Sequence, residues 1–116
     1  MRNDDFEGSL PPATFHILVA LSDSDRHGYA IMQEVAQRTG GKTKLNPGTL
    51  YTTIQRLLDK DLIVELRERP DADEDDERRR YYRLTPAGRR AAQRELARLT
   101  EMVSLARRAG LAREQG

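Results

Sequence analysis

The sequence predicts a mainly α fold with a small β-hairpin, and three observations carry that prediction. Apolar residues recur at helical spacing in three short stretches early in the chain and in one long stretch near its end. Between them the period falls to two over residues 62–67, and a second short run, residues 80–84, is rich in tyrosine. Asn46 with Pro47, and Thr85 with Pro86, each give the cap-plus-proline opening of a helix. The predicted order is therefore helix, helix, helix, strand, strand, helix.

Composition narrows the class. The chain has 116 residues, enough for one domain with a modest core. It contains no cysteine, which excludes a disulfide scaffold and a thiolate zinc site. The longest apolar run, residues 17–21, is far short of the roughly 20 residues that span a bilayer. The start of the chain is acidic and lacks the basic and apolar segments of a secretory signal. The expectation is a soluble, cytoplasmic protein with no membrane partner. Charged residues make up 34% of the chain, yet the formal net charge is only +1. Total charge does not announce a nucleic-acid partner, so the placement of the charges has to decide.

Taken in order, residues 1–9 are polar, acidic and aperiodic, and read as a flexible tail. Pro11 and Pro12 suit a helix start, and the first helix follows to Leu21. Leu10, Thr14, Ile17, Leu18 and Leu21 form one stripe, while Phe15 and Val19 point elsewhere. A helix apolar on two sides must bury both, which predicts a second chain against Phe15 and Val19; packing under a loop is the alternative. Residues 22–26 read as a turn in which Ser24 or Asp25 caps the next helix, roughly residues 27–39. Ile31, Met32, Val35 and Ala36 share a face of that helix, and Gly40 with Gly41 ends it. The third helix opens at Asn46 and places Leu50, Ile54, Leu57 and Leu58 on one side. Thr49, Tyr51, Thr52, Gln55, Arg56 and Lys60 lie on the other. The two strands pair most simply as a hairpin, with Asp71 and Asp73 to Glu77 at its tip and Arg78, Arg79 and Arg80 beside them. The last helix carries Ala92, Leu96, Leu99, Val103 and Ala106 at spacings of 4, 3, 4 and 3, a heptad seam for a partner helix, widened by Met102 and Leu105.

This order is that of a winged helix-turn-helix: a three-helix bundle plus a two-stranded wing, followed by a long C-terminal dimerisation helix. The division expected is a tail at 1–9, the winged domain at 10–84, the dimerisation helix at 85–110 and a second tail at 111–116. The physical logic is direct. A major groove about 12 Å wide admits one α-helix, and the bundle exposes the polar face of the third. Thr49, Tyr51, Thr52, Gln55, Arg56 and Lys60 are the candidate DNA contacts on that helix. Gln suits adenine and Arg suits guanine, although either can instead hold phosphate. For Arg56 and Lys60 the alternative is a solvated helix face. Arg78, Arg79 and Arg80 are the candidate wing contacts, to phosphate or minor groove. The alternative is that the acidic tip neutralises them.

Three stretches then resemble a known family: HGYAIMQEV at 27–35, NPGTLYTTIQRLLDKDLI at 46–63 and RRYYRLTPAG at 79–88. With the helix before them they cover most of residues 10–90, and together they resemble the PadR-like transcriptional regulators, in their short form with one C-terminal helix. The resemblance implies a homodimeric winged-helix repressor on a palindromic double-stranded DNA operator. It also implies a dimer built from the last and first helices, here Phe15, Val19, Ala92, Leu96, Leu99, Met102, Val103 and Ala106. Regulators of this kind often sense a small hydrophobic or aromatic effector, for which Phe6, Phe15, Met102 and Val103 are the candidate lining; plain dimer core is the alternative. The acidic tip is longer than the simplest form of the family has, and its charge repels DNA if it points at the backbone.

Enzyme readings find little support. His16 and His27 belong to no metal-ligand spacing, no glycine-rich phosphate loop follows a strand, and no serine has a base in a recognisable motif. No cofactor is expected. The rival function is a winged-helix module that binds protein through the same surface without reading DNA.

Overall fold

The computed structural model describes residues 8–66 and 80–111. Its elements run α1 (Pro12–Ala20), β1 (Arg26–His27), α2 (Gly28–Arg38), α3 (Pro47–Asp59), β2 (Ile63–Leu66), β3 (Tyr81–Leu84) and α4 (Pro86–Arg108). The architecture is the mainly α winged helix-turn-helix, with one addition to the expected wing. The sheet has three strands in the order β1-β3-β2, all antiparallel. Arg26 and His27, which the sequence suggested were the end of a turn and the start of a helix, pair with Tyr82 and Tyr81. A strand of two residues is too short to carry a period, so no pattern in the chain announces it.

The core lies where the three short helices meet the sheet and the first turns of α4. The predicted α1 stripe is buried at Leu10, Thr14, Ile17, Leu18 and Leu21. Ile31 from α2, Leu50 and Leu57 from α3 and Ile63 from β2 are fully enclosed with it. Each such side chain contributes about 1.5–3 kcal/mol on burial, so α3 is held firmly by one face. In β2, Ile63 turns inward and Val64 stays exposed. Phe15 is half-buried and packs against the core edge.

The helix ends explain themselves chemically. Asn46 Oδ1 accepts from the Thr49 N–H at 2.8 Å, and Thr85 Oγ1 accepts from the Gly88 N–H at 2.9 Å. The cap of α2 is His27, whose Nδ1 accepts from the Ala30 N–H at 3.1 Å, rather than Ser24 or Asp25. Its ring also meets Tyr81 edge-on, 5.3 Å between centroids. A neutral imidazole nitrogen accepts a hydrogen bond as a carboxylate does, and β1 delivers it to the right place.

Residues 22–26 are a tightly held junction. Arg26 bonds the Ala20 carbonyl at 2.7 Å and pairs with Asp23 and Glu34. Arg38 pairs with Asp23 and Glu34, Arg83 with Asp25, and Arg89 bonds the Ser22 carbonyl at 3.0 Å. These arginines serve the fold.

Candidate nucleic-acid interface

α3 starts from a good cap, stands on Leu50, Ile54 and Leu57, and stops cleanly. At its end Asp61 takes a left-handed conformation, φ 59°. The Asp61 N–H then reaches the Leu58 carbonyl at 3.0 Å, and the Leu62 N–H reaches Leu57 at 2.9 Å. That pair of bonds is the Schellman stop, which normally has glycine or asparagine at the left-handed position. A short polar Asp tolerates it better than a branched residue would.

The exposed side of α3 carries Thr49, Tyr51, Thr52, Gln55, Arg56 and Asp59. Tyr51, Thr52, Gln55, Arg56 and Asp59 line one shallow depression on this face. Gln55 Nε2 donates to Asp59 Oδ1 at 3.1 Å, one turn further along. Asp59 therefore belongs to the same face, and its i, i+4 spacing from Gln55 is the signal in the sequence. Lys60 is the α3 C-cap, partly buried at the far end of the helix. Lys42 and Lys44 are exposed on the connector that enters α3, two cations that helical periodicity alone does not single out.

Tyr51 is not a free-standing side chain. Its ring lies against Gly28 at the start of α2, so close that a Cβ there would sit 2.4 Å from Tyr51 Oη. Tyr82 is buried in β3 opposite Glu65; burial first, then that carboxylate, pushes its phenol up to about 12. Of the wing arginines, Arg80 is exposed and pairs with Glu65 at 3.5 Å. Arg78, Arg79 and the acidic tip lie outside the described residues, as does Phe6.

α4 changes character along its length. Gly88, Ala91 and Glu95 are buried against the core. Glu95 accepts from the Leu10 N–H at 3.1 Å and is gripped by Arg98 through both oxygens, at 3.0 and 2.7 Å. Those hydrogen bonds, with the Arg98 pair the largest influence, hold its carboxyl below the usual range despite burial. Beyond Glu95 the helix leaves the core. Leu96 is 58% exposed, Met102 52%, Val103 51% and Leu105 50%, whereas Ala92, Leu99 and Ala106 are partly covered. Val19 on α1 is half-buried. Among the described residues no His or acidic cluster could hold a metal ion, and no helix is long and apolar enough to cross a membrane.

The family model for the transcriptional regulator PadR-like family matches residues 17–94. The chain belongs to that family. PadR-like proteins are transcription regulators, not enzymes. A Mycobacterium tuberculosis protein named as a transcriptional regulator is 36% identical over 87 residues, covering 75% of each chain. An uncharacterised Streptomyces fradiae transposon protein is 40% identical over 90 residues, 75% of this chain but only 24% of that longer protein. Among solved structures, a PadR family transcription regulator from Clostridium difficile superposes with a TM-score of 0.72 at 22% identity, covering 84% of this chain and 97% of the other. Bacillus subtilis PadR, solved in complex with operator DNA, superposes with a TM-score of 0.62 at 19% identity, covering 72% and 46% respectively. The structural likenesses establish a shared fold.

Proposed function

We propose that this PadR-like regulator is a homodimeric, sequence-specific DNA-binding repressor released by a small-molecule effector. One observation supports it above the others: the hydrogen-bonding face of α3 is exposed along its length while its apolar face is fixed in the core. Thr49, Tyr51, Thr52, Gln55 and Arg56 are the base-edge or phosphate contacts in this reading, and Lys60, Lys42, Lys44 and Arg80 are further cations for the backbone. Arg78 and Arg79 complete the wing contact. The operator complex of Bacillus subtilis PadR supports a DNA partner for this chain too.

Dimerisation in this reading uses Phe15, Val19, Ala92, Leu96, Leu99, Met102, Val103 and Ala106. Exposed Leu96, Met102 and Val103 on a long helix support it, because a contiguous apolar stripe of that kind marks an interaction surface. Residues 10–84 are then the reading unit and residues 85–110 the assembly helix. An effector would sit among Phe6, Phe15, Met102 and Val103, where one chain offers an apolar wall and its partner closes it.

The test is affinity for the DNA upstream of the protein's own coding sequence, measured at several salt concentrations. A DNA binder loses affinity steeply, with a slope near −0.9 per phosphate contact. The Asp59 carboxylate on the outer face of α3 favours the second reading, a protein-binding module. Absent or salt-independent DNA binding would support that module and remove the repressor.

A further inference from the structure

We propose that Thr85 and Gly88 are positioning residues that set the distance between the two reading helices of the dimer, by fastening α4 directly to the stop of α3. The inference rests on the dimeric DNA-binding reading above.

The end of α3 and the start of α4 are far apart in sequence, with β2, the wing tip and β3 between them. In space they meet where the β2–β3 ladder ends. The Thr85 N–H donates to the Leu62 carbonyl at 3.1 Å. Thr85 Oγ1 donates to the Asp61 carbonyl at 2.9 Å. The same hydroxyl oxygen accepts from the Gly88 N–H, capping α4. One hydroxyl therefore starts the assembly helix and holds the stop of the reading helix. Gly88 lets the helices come this close: a Cβ there would lie 2.0 Å from the Leu62 carbonyl oxygen and 2.8 Å from Leu84 Cδ1. Leu62 O belongs to the backbone of the stop, so it cannot swing away as a side chain end would. The joint is the base of the wing: Leu62 and Thr85 extend by one position the β2–β3 ladder that pairs Ile63 with Leu84.

Leverage makes this joint matter. α4 has 23 residues. At 1.5 Å per residue it is about 35 Å long, so a tilt of about 6° at its base displaces its far end by nearly one base-pair step, ~3.4 Å. A joint with one hydrogen bond missing still connects the helices but no longer fixes their angle. The half-site sequence recognised by α3 is then unchanged, while the spacing between half-sites loosens.

The chemistry of Thr85 allows a clean separation. Thr85→Asp keeps an acceptor for the α4 cap but has no hydrogen for the Asp61 carbonyl. Thr85→Ser and Thr85→Asn keep both an acceptor and a donor. Full-length wild type and each variant would be used to select from a pool of random-sequence duplexes, and the enriched half-sites and their spacing read by sequencing. Wild type, Thr85→Ser and Thr85→Asn are expected to enrich paired half-sites at one spacing. Thr85→Asp is expected to enrich the same half-sites spread over about one or two base pairs either way. If circular dichroism shows that Thr85→Asp does not fold, Thr85→Ala, which removes both the donor and the cap acceptor but adds no charge, takes its place. A single wild-type spacing in the folded variant lacking the donor would overturn the inference and leave the DNA-binding reading intact. Failure of wild type itself to enrich paired half-sites would overturn both.

Discussion

The phenol of Tyr51 on α3 rests on the backbone of Gly28 at the start of α2, where no side chain fits between them. Two things follow from that contact. It braces the outer face of α3 against a second helix, and it makes Gly28 a site where a single methyl group must displace Tyr51. The displaced atoms are the far end of a side chain, so the fold can accommodate them. Gly28→Ala is expected to cost about 1–2 kcal/mol in thermal unfolding. The larger effect falls on DNA binding, because the ring moves across the proposed reading face. Adding Tyr51→Phe should recover part of the stability loss. A double-mutant cycle with no coupling between the two positions would place the contact outside the energetics.

Glu95 predicts a pH dependence. Its carboxylate is buried, bonded to the Leu10 N–H and paired with Arg98, and its pKa in the folded chain is held below the ordinary value. A lowered folded pKa means that the unfolded chain binds the proton more readily. The stabilisation is therefore fully present above the unfolded value, about 4.3, and fades as pH falls through the lower folded value. Thermal midpoints of wild type should drop over that acid window, and Glu95→Gln should flatten the drop. Glu95→Ala, which leaves the Leu10 N–H without its acceptor, should cost about 1–3 kcal/mol at neutral pH. Parallel pH profiles for wild type and Glu95→Gln would refute the assignment.

Asp59 restrains Gln55 and places a negative charge on the face proposed for DNA. Asp59→Asn keeps an acceptor for Gln55 and removes the charge, whereas Asp59→Ala removes both. Either change should tighten binding to duplex DNA about two- to five-fold at low salt, less at high salt. Unaltered binding by both variants would show that DNA does not approach this end of α3, and weaker binding would show that Asp59 supports the interface instead of opposing it.

Val103 tests the proposed dimer apart from folding. It is half exposed on the part of α4 beyond the buried turns. Val103→Glu should leave the thermal unfolding of the monomer nearly unchanged and convert dimer to monomer in sedimentation. A dimer that persists would move the interface off this stripe.

Much of the fold was legible because local chemistry and tertiary structure agree. Asn46, Pro47, Thr85 and Pro86 open α3 and α4 as their caps require, and the stripe of Leu10, Thr14, Ile17, Leu18 and Leu21 is the buried one. Gly28 and Gly88 stand in the first turns of helices, where glycine is a poor helix former, and both mark close approaches. What escaped was set by contacts between distant residues. β1 exists only because Tyr81 and Tyr82 pair with it, and His27 becomes a cap only through that placement. Of the candidate site, the helix and its exposed polar face were legible. The bracing of Tyr51 by Gly28 and the left-handed Asp61 that lets Leu62 meet Gly88 depend on geometry that no spacing encodes.

The central claim is that the outer face of α3 reads DNA as a paired element. Hydroxyl-radical footprinting of the protein on its own promoter tests this most directly. The account predicts two protected patches of related sequence about one helical turn apart, 10–10.5 base pairs or a multiple of it, both lost with Arg56→Ala at the same protein concentration. Uniform or absent protection, or a footprint that Arg56→Ala leaves unaltered, would contradict it.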